Sequence, residues 1–431
     1  MEAISLFAIF LFLIFTGVPL AFSMALTTII FSLFIAHASY SLEGIFLTFL
    51  TGAEAFPLLA VPLFILAGEL INTGGIGVRI IRFLTGLVGF LPGGLGLVTV
   101  GASMVFAGIS GSAVADSSAI GSIMIPGMAQ KGYTRTFASA LVAAAGTIGV
   151  IIPPSIPMVV YAFIANVSLG DLFLGGVVPG IFFGVGMMVI CVIIAKRRGY
   201  DVGGERAPLK ETLKGLLECL PAFLMPVIIL GGIFGGIFTP TEAAAVAVVY
   251  GFLVSMFLYR ETKWSDLPRI LRESMVTSGT VLLVICSTTA LTFIVTSENI
   301  PRIITDFLLG LTTQKWVYLI IVNIFLLIVG MFVDALSGLL ISVPLLMTSA
   351  VAFGVDPVHL GVIMVCNLAI GLYTPPVGVC LFVSARIGKV PIGAVVKELI
   401  PFFAISLVVM LMVTFIPDMS LWLVRMFSGK V

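Results

Sequence analysis

Charged side chains are scarce in this sequence of 431 residues. They make up 10% of the chain, 21 basic and 20 acidic, while 60% of the residues are hydrophobic and the mean hydropathy is +1.27. Soluble globular proteins carry about a quarter charged residues. The deficit excludes a soluble domain and predicts a polytopic membrane protein. A net charge of +1 gives no reason to expect a nucleic-acid partner.

Histidine and paired cysteine are also scarce. The two histidines, His37 and His359, are far apart, and no CxxC pair occurs among the five cysteines, Cys191, Cys219, Cys286, Cys366 and Cys380. The cysteines stand singly in apolar segments, which predicts buried thiols and neither disulfides nor metal ligands. No Walker A motif and no Ser-His-Asp order appears, so we predict no ATP hydrolysis, no other enzymatic activity and no cofactor.

Long apolar segments make up most of the sequence. A membrane-spanning helix needs about 20 apolar residues, and ten segments are candidates: 2–18, 20–36, 56–72, 134–168, 176–195, 219–238, 241–259, 275–296, 358–385 and 399–417. The first carries an acid where a signal peptide has basic residues, which predicts a retained helix. Four connectors mix charged and apolar residues, which favours helices in the membrane interface over ordinary loops: 37–55, 77–90, 260–274 and 297–312.

Two further apolar regions, 93–128 and 316–350, contain small polar residues at their centres. The first reads GISGSAVADSSAIGS from Gly108 to Ser122, and the second contains MFVDALSG from Met331 to Gly338. Such breaks are tolerated at membrane depth only where the backbone is buried in protein or lines a cavity. Both regions are therefore predicted to be re-entrant helical hairpins.

The positions of the basic residues give the orientation. With an exterior N-terminus, single crossings by the spans and hairpins that return to their own side, 17 of the 21 basic residues fall on the cytoplasmic side. The exceptions are Arg302, Lys315, Arg425 and Lys430. This bias follows the positive-inside rule. It predicts periplasmic N- and C-termini and a cytoplasmic polar linker at 196–218.

The same order of elements occurs twice, which predicts two repeats of inverted topology. Repeat 1 (1–195) has scaffold helices in 1–90, a hairpin at 93–128, a helix at 134–168 broken at Pro153-Pro154, and a helix at 176–195. Repeat 2 (219–431) has scaffold helices in 219–312, a hairpin at 316–350, a helix at 358–385 broken at Pro375-Pro376, and a helix at 399–417. Matching residues lie about 222 positions apart, so Gly108 falls on Gly330 and Ser112 on Asp334. Inverted repeats with broken helices indicate a transport site near the membrane midplane.

The breaks supply oxygen ligands of low formal charge, which suit a monovalent cation such as Na⁺. We predict a first sodium site formed by Ser110, Gly111, Ser112, Gly149 and Pro153, because hydroxyls and proline-freed carbonyls meet there. We predict a second formed by Asp334, Ser337, Gly371, Thr374 and Pro375. Asp334 also suits an N-cap, a role compatible with ligation. The alternative is that these small residues only permit close helix packing.

An anionic substrate is predicted between the two tips, at Ser112, Ser155, Ser337 and Thr374. Helix N-termini that converge there favour a carboxylate. Three residues receive supporting roles. Asp116 lies in the first turn of the returning helix, although an alignment shifted by four residues would pair it with Asp334. Glu242 is better explained as a helix-start residue. Arg302 could meet a partner protein or an incoming anion, or it could face lipid.

These segments resemble the large membrane subunit of tripartite ATP-independent periplasmic (TRAP) transporters. The resemblance extends over nearly the whole chain and rests on PLFILAGELINTGG, FAGISGSAVADSSAIGSIMIPGM, GTIGVIIPPSIPMVVYA, FTPTEAAAVAVVYG and YTPPVGVCLFV. It implies an all-α fold with a scaffold and an elevator-type transport domain in a bacterial inner membrane.

The resemblance also implies a function and partners. Na⁺-driven import of carboxylates is expected, including C4-dicarboxylates or sialic acid, together with a small four-helix membrane subunit and a periplasmic substrate-binding protein. The alternatives are a symporter that needs no binding protein and an ion channel, whose tips would form a selectivity filter.

Overall fold

The computed structural model describes residues 2–35, 40–54, 56–200 and 208–428. Within these ranges the regular structure is helical throughout, without strands. His37 and residues 201–207 of the predicted linker lie outside them. The described helices of the first half are α1 (Glu2–Phe15), α2 (Leu20–Ile30), α3 (Leu42–Glu54), α4 (Ala60–Thr73), α5 (Ile76–Val88), α6 (Gly94–Ser110), α7 (Ala113–Gln130), α8 (Arg135–Gly146), α9 (Ile156–Ile164) and α10 (Leu169–Arg198).

The second half also has ten described α-helices. They are α11 (Leu209–Phe234), α12 (Pro240–Leu253), α13 (Leu267–Ser297), α14 (Ile300–Leu311), α15 (Lys315–Phe332), α16 (Ala335–Ala352), α17 (Pro357–Gly371), α18 (Val379–Gly388), α19 (Ile392–Phe415) and α20 (Asp418–Ser428). α20 was not predicted. The connector predicted at 260–274 is not a separate helix, because α13 begins at Leu267 and continues without interruption through the predicted span at 275–296.

The described residues contain seven helices that are long and apolar enough to cross a membrane. The number rises to eight if α4 and α5, which are bent by 64° at their junction, count as one span. α10 has 30 residues and begins seven residues before the predicted start at 176. The prediction of an all-α polytopic membrane protein is confirmed.

Both predicted hairpins fold back on themselves. Near the open end of the first, the Thr99 hydroxyl at the start of α6 lies 3.5 Å from the Met128 sulfur at the end of α7. In the second, the ring of Tyr318 in α15 stacks on that of Phe353, just past α16, with centroids 4.4 Å apart. Each hairpin turns within two residues, at 111–112 and 333–334. Neither region is therefore a single straight helix.

The two proline pairs interrupt helices as predicted. After α8 a 3₁₀ turn covers Thr147–Val150, the chain leaves helical geometry, and α9 begins at Ile156. The second break separates α17 from α18. Proline removes a backbone donor and clashes with the preceding turn, so a helix cannot continue through such a pair. Both Pro-Pro peptide bonds are cis.

The two hairpins pack on the two broken helices, so hairpins and breaks belong to one group of contacting helices. α7 contacts α8 and α18, α15 contacts α17, and α16 contacts α9. Other close pairs include α12 with α4, α13 with α3, and α11 with α5. The division into two inverted repeats at 1–195 and 219–431 stays a prediction.

A buried amide network holds α15, α17 and α19 together. The Asn367 amide donates to the backbone oxygen of Asn323 at 3.1 Å and to its side-chain oxygen at 2.8 Å. The Asn323 amide donates to the Thr414 hydroxyl at 3.2 Å. Buried polar groups need such partners, so the network fixes the register of hairpin α15–α16 against the broken helix. Sequence reasoning missed these residues.

Candidate functional site

The tip of the first hairpin lies against the first proline break. Gly111 ends α6 with φ +62°, and its carbonyl accepts a hydrogen bond of 3.4 Å from the Ile156 N–H. A β-carbon at Gly111 would lie 2.8 Å from the Pro154 oxygen and 3.5 Å from the Ser155 Cα. Only glycine suits both this left-handed conformation and the close approach. The predicted residues of the first sodium site thus come together.

Asp116 is the buried acid of this region. Its side chain has 0% exposure, and one carboxylate oxygen accepts a hydrogen bond from the Ser110 hydroxyl. The other oxygen, Oδ2, has no hydrogen-bond partner among the described residues. A β-carbon built on Gly149 would overlap Oδ2 and would lie 3.2 Å from the Ser112 carbonyl oxygen. Asp116 therefore shares its surroundings with three of the predicted ligand residues.

Sequence reasoning assigned Asp116 a supporting role and did not predict that its side chain would be buried among residues of the first predicted site. An acid in the first turn of a helix is accounted for by the helix dipole alone. That local argument gave no reason to expect that Asp116 would be buried. A buried carboxylate that lacks a cationic partner is costly unless something compensates its charge. One feature of the sequence could have indicated this burial. Asp116 is the only charged residue in SGSAVADSSA, and its small neighbours allow other helices to pack closely over it.

The Ser155 hydroxyl already makes two hydrogen bonds within its own segment. Its hydroxyl donates to the Val150 carbonyl at 2.6 Å and accepts from the Met158 N–H at 3.4 Å, which makes it the N-cap of α9. The Val150 carbonyl, three residues before Pro153, is thus already engaged by one hydrogen bond. A carbonyl has a second lone pair, so it can still contribute to a cation site.

The second tip meets the second break through a pair of glycines. A β-carbon on Gly371 would overlap the Gly330 carbonyl oxygen and lie 2.6 Å from its Cα. The Val377 N–H donates to the Met331 carbonyl at 3.1 Å. Backbone therefore touches backbone at the end of α15, as at the first tip.

Asp334 is exposed and serves as the N-cap of α16. Its carboxylate accepts from the N–H groups of Leu336 at 3.1 Å and Ser337 at 3.2 Å, and also from the Ser337 hydroxyl. The Thr374 hydroxyl donates to the Ile370 carbonyl at 2.7 Å. The N-cap role anticipated for Asp334 is thus present.

Four helix N-termini surround the tips and breaks: α7 and α9 begin after Ser112 and Ser155, and α16 and α18 after Asp334 and Gly378. α7 packs on α18 and α9 on α16. Helix N-termini carry partial positive charge and attract anions.

The other two supporting residues lie on helices outside the hairpins and broken helices. Glu242 completes a capping box, its carboxylate accepting from the Thr239 N–H at 2.7 Å and from the Thr239 hydroxyl at 2.8 Å. Its helix-start role is confirmed. Arg302 is exposed on α14, with its Nε 3.9 Å from Asp306.

The first hairpin touches α4 and α11 through small residues. A β-carbon on Gly68 of α4 would lie 3.4 Å from the Ser110 carbonyl oxygen. One on Gly108 would lie 3.1 Å from the Pro226 ring of α11. The first hairpin thus approaches both helices closely at these two glycines.

Replacement of Gly149 by alanine tests the first tip. The added methyl would displace the Asp116 carboxylate, so we expect apparent Na⁺ affinity in an uptake assay to fall by about tenfold, equivalent to about 1.4 kcal/mol. Gly127→Ala is the matched control, because a β-carbon there meets nothing within 4 Å. Equal Na⁺ dependence of the two variants would contradict this geometry.

Paired hairpins and broken helices in a multi-pass helical membrane protein define the class of secondary transporters, in which helix breaks form the transport site. Residues 7–419 match the family described as tripartite ATP-independent periplasmic transporter, DctM component. The chain belongs to this family. It is therefore a multi-pass inner-membrane subunit of a tripartite transporter, and not an enzyme.

Characterised relatives cover nearly the whole chain. It is 40% identical to the C4-dicarboxylate TRAP transporter large permease protein DctM of Vibrio cholerae, over 98% of each chain. It is 38% identical to the sialic acid TRAP transporter large permease protein SiaM of the same organism, over 97% of each. It is 40% identical to the isethionate TRAP transporter permease protein DctMQ of Oleidesulfovibrio alaskensis, over 97% of this chain and 65% of that protein's length.

A solved structure shares the fold. The YdaH transporter of Alcanivorax borkumensis, whose crystal structure has an unusual topology, superposes with a TM-score of 0.63 over 90% of each chain. Sequence identity is 14%, so this likeness concerns the fold alone.

Proposed function

We propose that this chain is the Na⁺-coupled permease that imports a small carboxylate by an elevator movement, after a periplasmic binding protein delivers the substrate. A small four-helix membrane subunit would complete the assembly. For the orientation we propose periplasmic termini and a cytoplasmic linker, as the distribution of basic residues predicts. The observation that carries the proposal is the buried Asp116 carboxylate at the glycine tip, with one unpartnered oxygen.

The first sodium site would be held by the Asp116 carboxylate with oxygens from Ser110, Ser112 and the Gly149 region. One carboxylate with hydroxyl and carbonyl oxygens suits a monovalent hard cation, whereas Ca²⁺ usually takes several carboxylates. Na⁺ would supply the charge that offsets Asp116. The second site would use carbonyls at Gly330 and Gly371 with Asp334, Ser337 and Thr374.

The substrate carboxylate would bind between the tips. Ser112, Ser155, Ser337 and Thr374 remain the proposed contacts, with the helix N-termini supplying electrostatic attraction. Cations at both tips would add to that attraction, so Na⁺ and anion would bind cooperatively. Coupling of this kind raises the affinity of each ligand for a protein already holding the other.

The elevator movement is supported by the contact between the first hairpin and helices α4 and α11. Gly68 and Gly108 place backbone against backbone or against the Pro226 ring. A glycine has no side chain that must disengage, so these two contacts would oppose sliding of the hairpin past α4 and α11 only weakly.

Reconstitution tests the proposal. The chain, its small subunit and its binding protein are placed in liposomes, and uptake of C4-dicarboxylates, sialic acid and isethionate is measured with Na⁺ or K⁺ outside. Saturable uptake of a C4-dicarboxylate or of sialic acid that requires both Na⁺ and the binding protein is expected, whereas uptake of isethionate alone, a sulfonate, would contradict a carboxylate substrate. Uptake without the binding protein would favour an independent symporter, and non-saturating flux would favour a channel.

A further inference from the structure

A cavity of about 520 Å³ lies between α5, α11 and the segment after α12. Its lining includes Arg79, Arg82, Glu218 and Glu261. We propose that this cavity binds the headgroup of an ethanolamine phospholipid, with the phosphate at the arginines and the ammonium at the glutamates.

The position of the cavity fits headgroup depth. Glu218 is the last charge of α11 before an uninterrupted apolar run, and the candidate span Pro240–Leu258 ends just before Tyr259 and Glu261. Arg79 follows the bend at the end of α4. Three spans thus leave their apolar segments around one cavity, on the side predicted to be cytoplasmic. Tyr259 and the nearby Trp264 suit the aromatic belt at this depth.

The arginines are arranged to receive a phosphate. The Arg79 guanidinium lies 4.2 Å from the centre of the Tyr259 ring and donates to the Gly75 carbonyl at 3.0 Å, so its plane is fixed. The Arg82 side chain is 67% exposed and reaches Glu218 at 3.2 Å. A planar guanidinium binds phosphate oxygens in pairs.

The glutamates make the cavity electrically neutral overall, which disfavours a ligand with net negative charge. Glu261 pairs with Arg79 at 3.0 Å, and Glu218 with Arg82. Such partly exposed ion pairs contribute little stability, so a ligand carrying both charges can replace them at small cost. A primary ammonium donates hydrogen bonds to carboxylates, whereas the quaternary ammonium of choline has no N–H to donate.

Two leucines in the lining of the cavity are exposed. Leu217 is 64% exposed and Leu258 is 59% exposed. Acyl chains attached to a headgroup in the cavity would cover both residues. This separates a phospholipid from a soluble phosphorylated amine, which would leave them uncovered.

The test is native mass spectrometry of the full chain, alone and with its small subunit, exposed to equal amounts of phosphatidylethanolamine, phosphatidylglycerol and phosphatidylcholine. Phosphatidylethanolamine should remain bound most strongly. Arg82→Gln should reduce its retention about fivefold by removing a charged donor, and Arg82→Lys should retain most of it. Glu218→Gln should remove the preference for ethanolamine over glycerol.

The matched control is Arg269→Gln. Arg269 pairs with Glu273 at 3.1 Å at a similar exposure but does not line the cavity, so its replacement should change nothing. Equal retention of phosphatidylglycerol, an equal effect of the control, or displacement of the lipid by the small subunit would each overturn the proposal. Full displacement of bound phosphatidylethanolamine by equimolar free phosphoethanolamine would show that the cavity takes a soluble ligand, and this result would also overturn the proposal.

Discussion

Replacement of Asp116 by asparagine is expected to abolish Na⁺-dependent uptake. Asparagine keeps the shape and the acceptor for the Ser110 hydroxyl but removes the charge that Na⁺ would neutralise in a fully buried position. A lost charged contact is worth about 3 kcal/mol, which weakens cation binding about 100-fold at 1.4 kcal/mol per factor of ten. Uptake is measured over a Na⁺ titration in liposomes.

Thermal unfolding of the purified protein gives a second readout for Asp116. A ligand that binds only the folded state raises the unfolding temperature, so the stabilisation by NaCl relative to KCl should shrink in Asp116→Asn. Asp356→Asn is the matched control. Asp356 caps α17 away from the tips, and asparagine caps a helix about as well as aspartate. A full Na⁺ requirement in Asp116→Asn would refute the proposed first site.

Replacement of Gly371 by alanine is expected to stop transport at every Na⁺ concentration. The methyl group would overlap the Gly330 carbonyl and force α15 away from the broken helix α17. Overpacking costs about 1–3 kcal/mol, so the protein should still reach the membrane at reduced stability. Uptake is compared at equal amounts of membrane-inserted protein.

Gly393→Ala is the control for Gly371→Ala, because a β-carbon on Gly393 meets nothing within 4 Å. It should transport like the unmodified protein. Normal uptake by Gly371→Ala would show that the close contact of Gly330 and Gly371 is not required for the second site.

Much of the fold could be predicted because its determinants are local. A run of apolar residues specifies a span, and a proline pair stops a helix wherever it occurs. The hairpin turns are recognisable from residue type, because Gly111 ends a helix and Ser112 and Asp334 are N-caps. The sequence analysis did not predict that α13 would join the connector 260–274 to the span that follows it. The charges of 260–274 suggested that a helix ends there, whereas helix propensity and packing decide where a helix continues.

The burial of Asp116 was not predicted, and the ungapped repeat alignment explains why. It paired Ser112 with Asp334 and so directed attention away from Asp116. Asp334 is exposed, whereas Asp116 is buried with an unpartnered oxygen. Burial depends on what other segments cover, which a pattern within one segment does not reveal.

By itself, the sequence determined that this protein is a helical membrane transporter with two hairpins and two broken helices. Composition and backbone chemistry act over a few residues, so they can be read in order along the chain. Only the tertiary structure decided that Asp116 meets Gly149, that Gly330 meets Gly371, and that Arg79 and Glu261 share a cavity. These contacts join segments tens to hundreds of residues apart, and they exist only where packing brings the segments together.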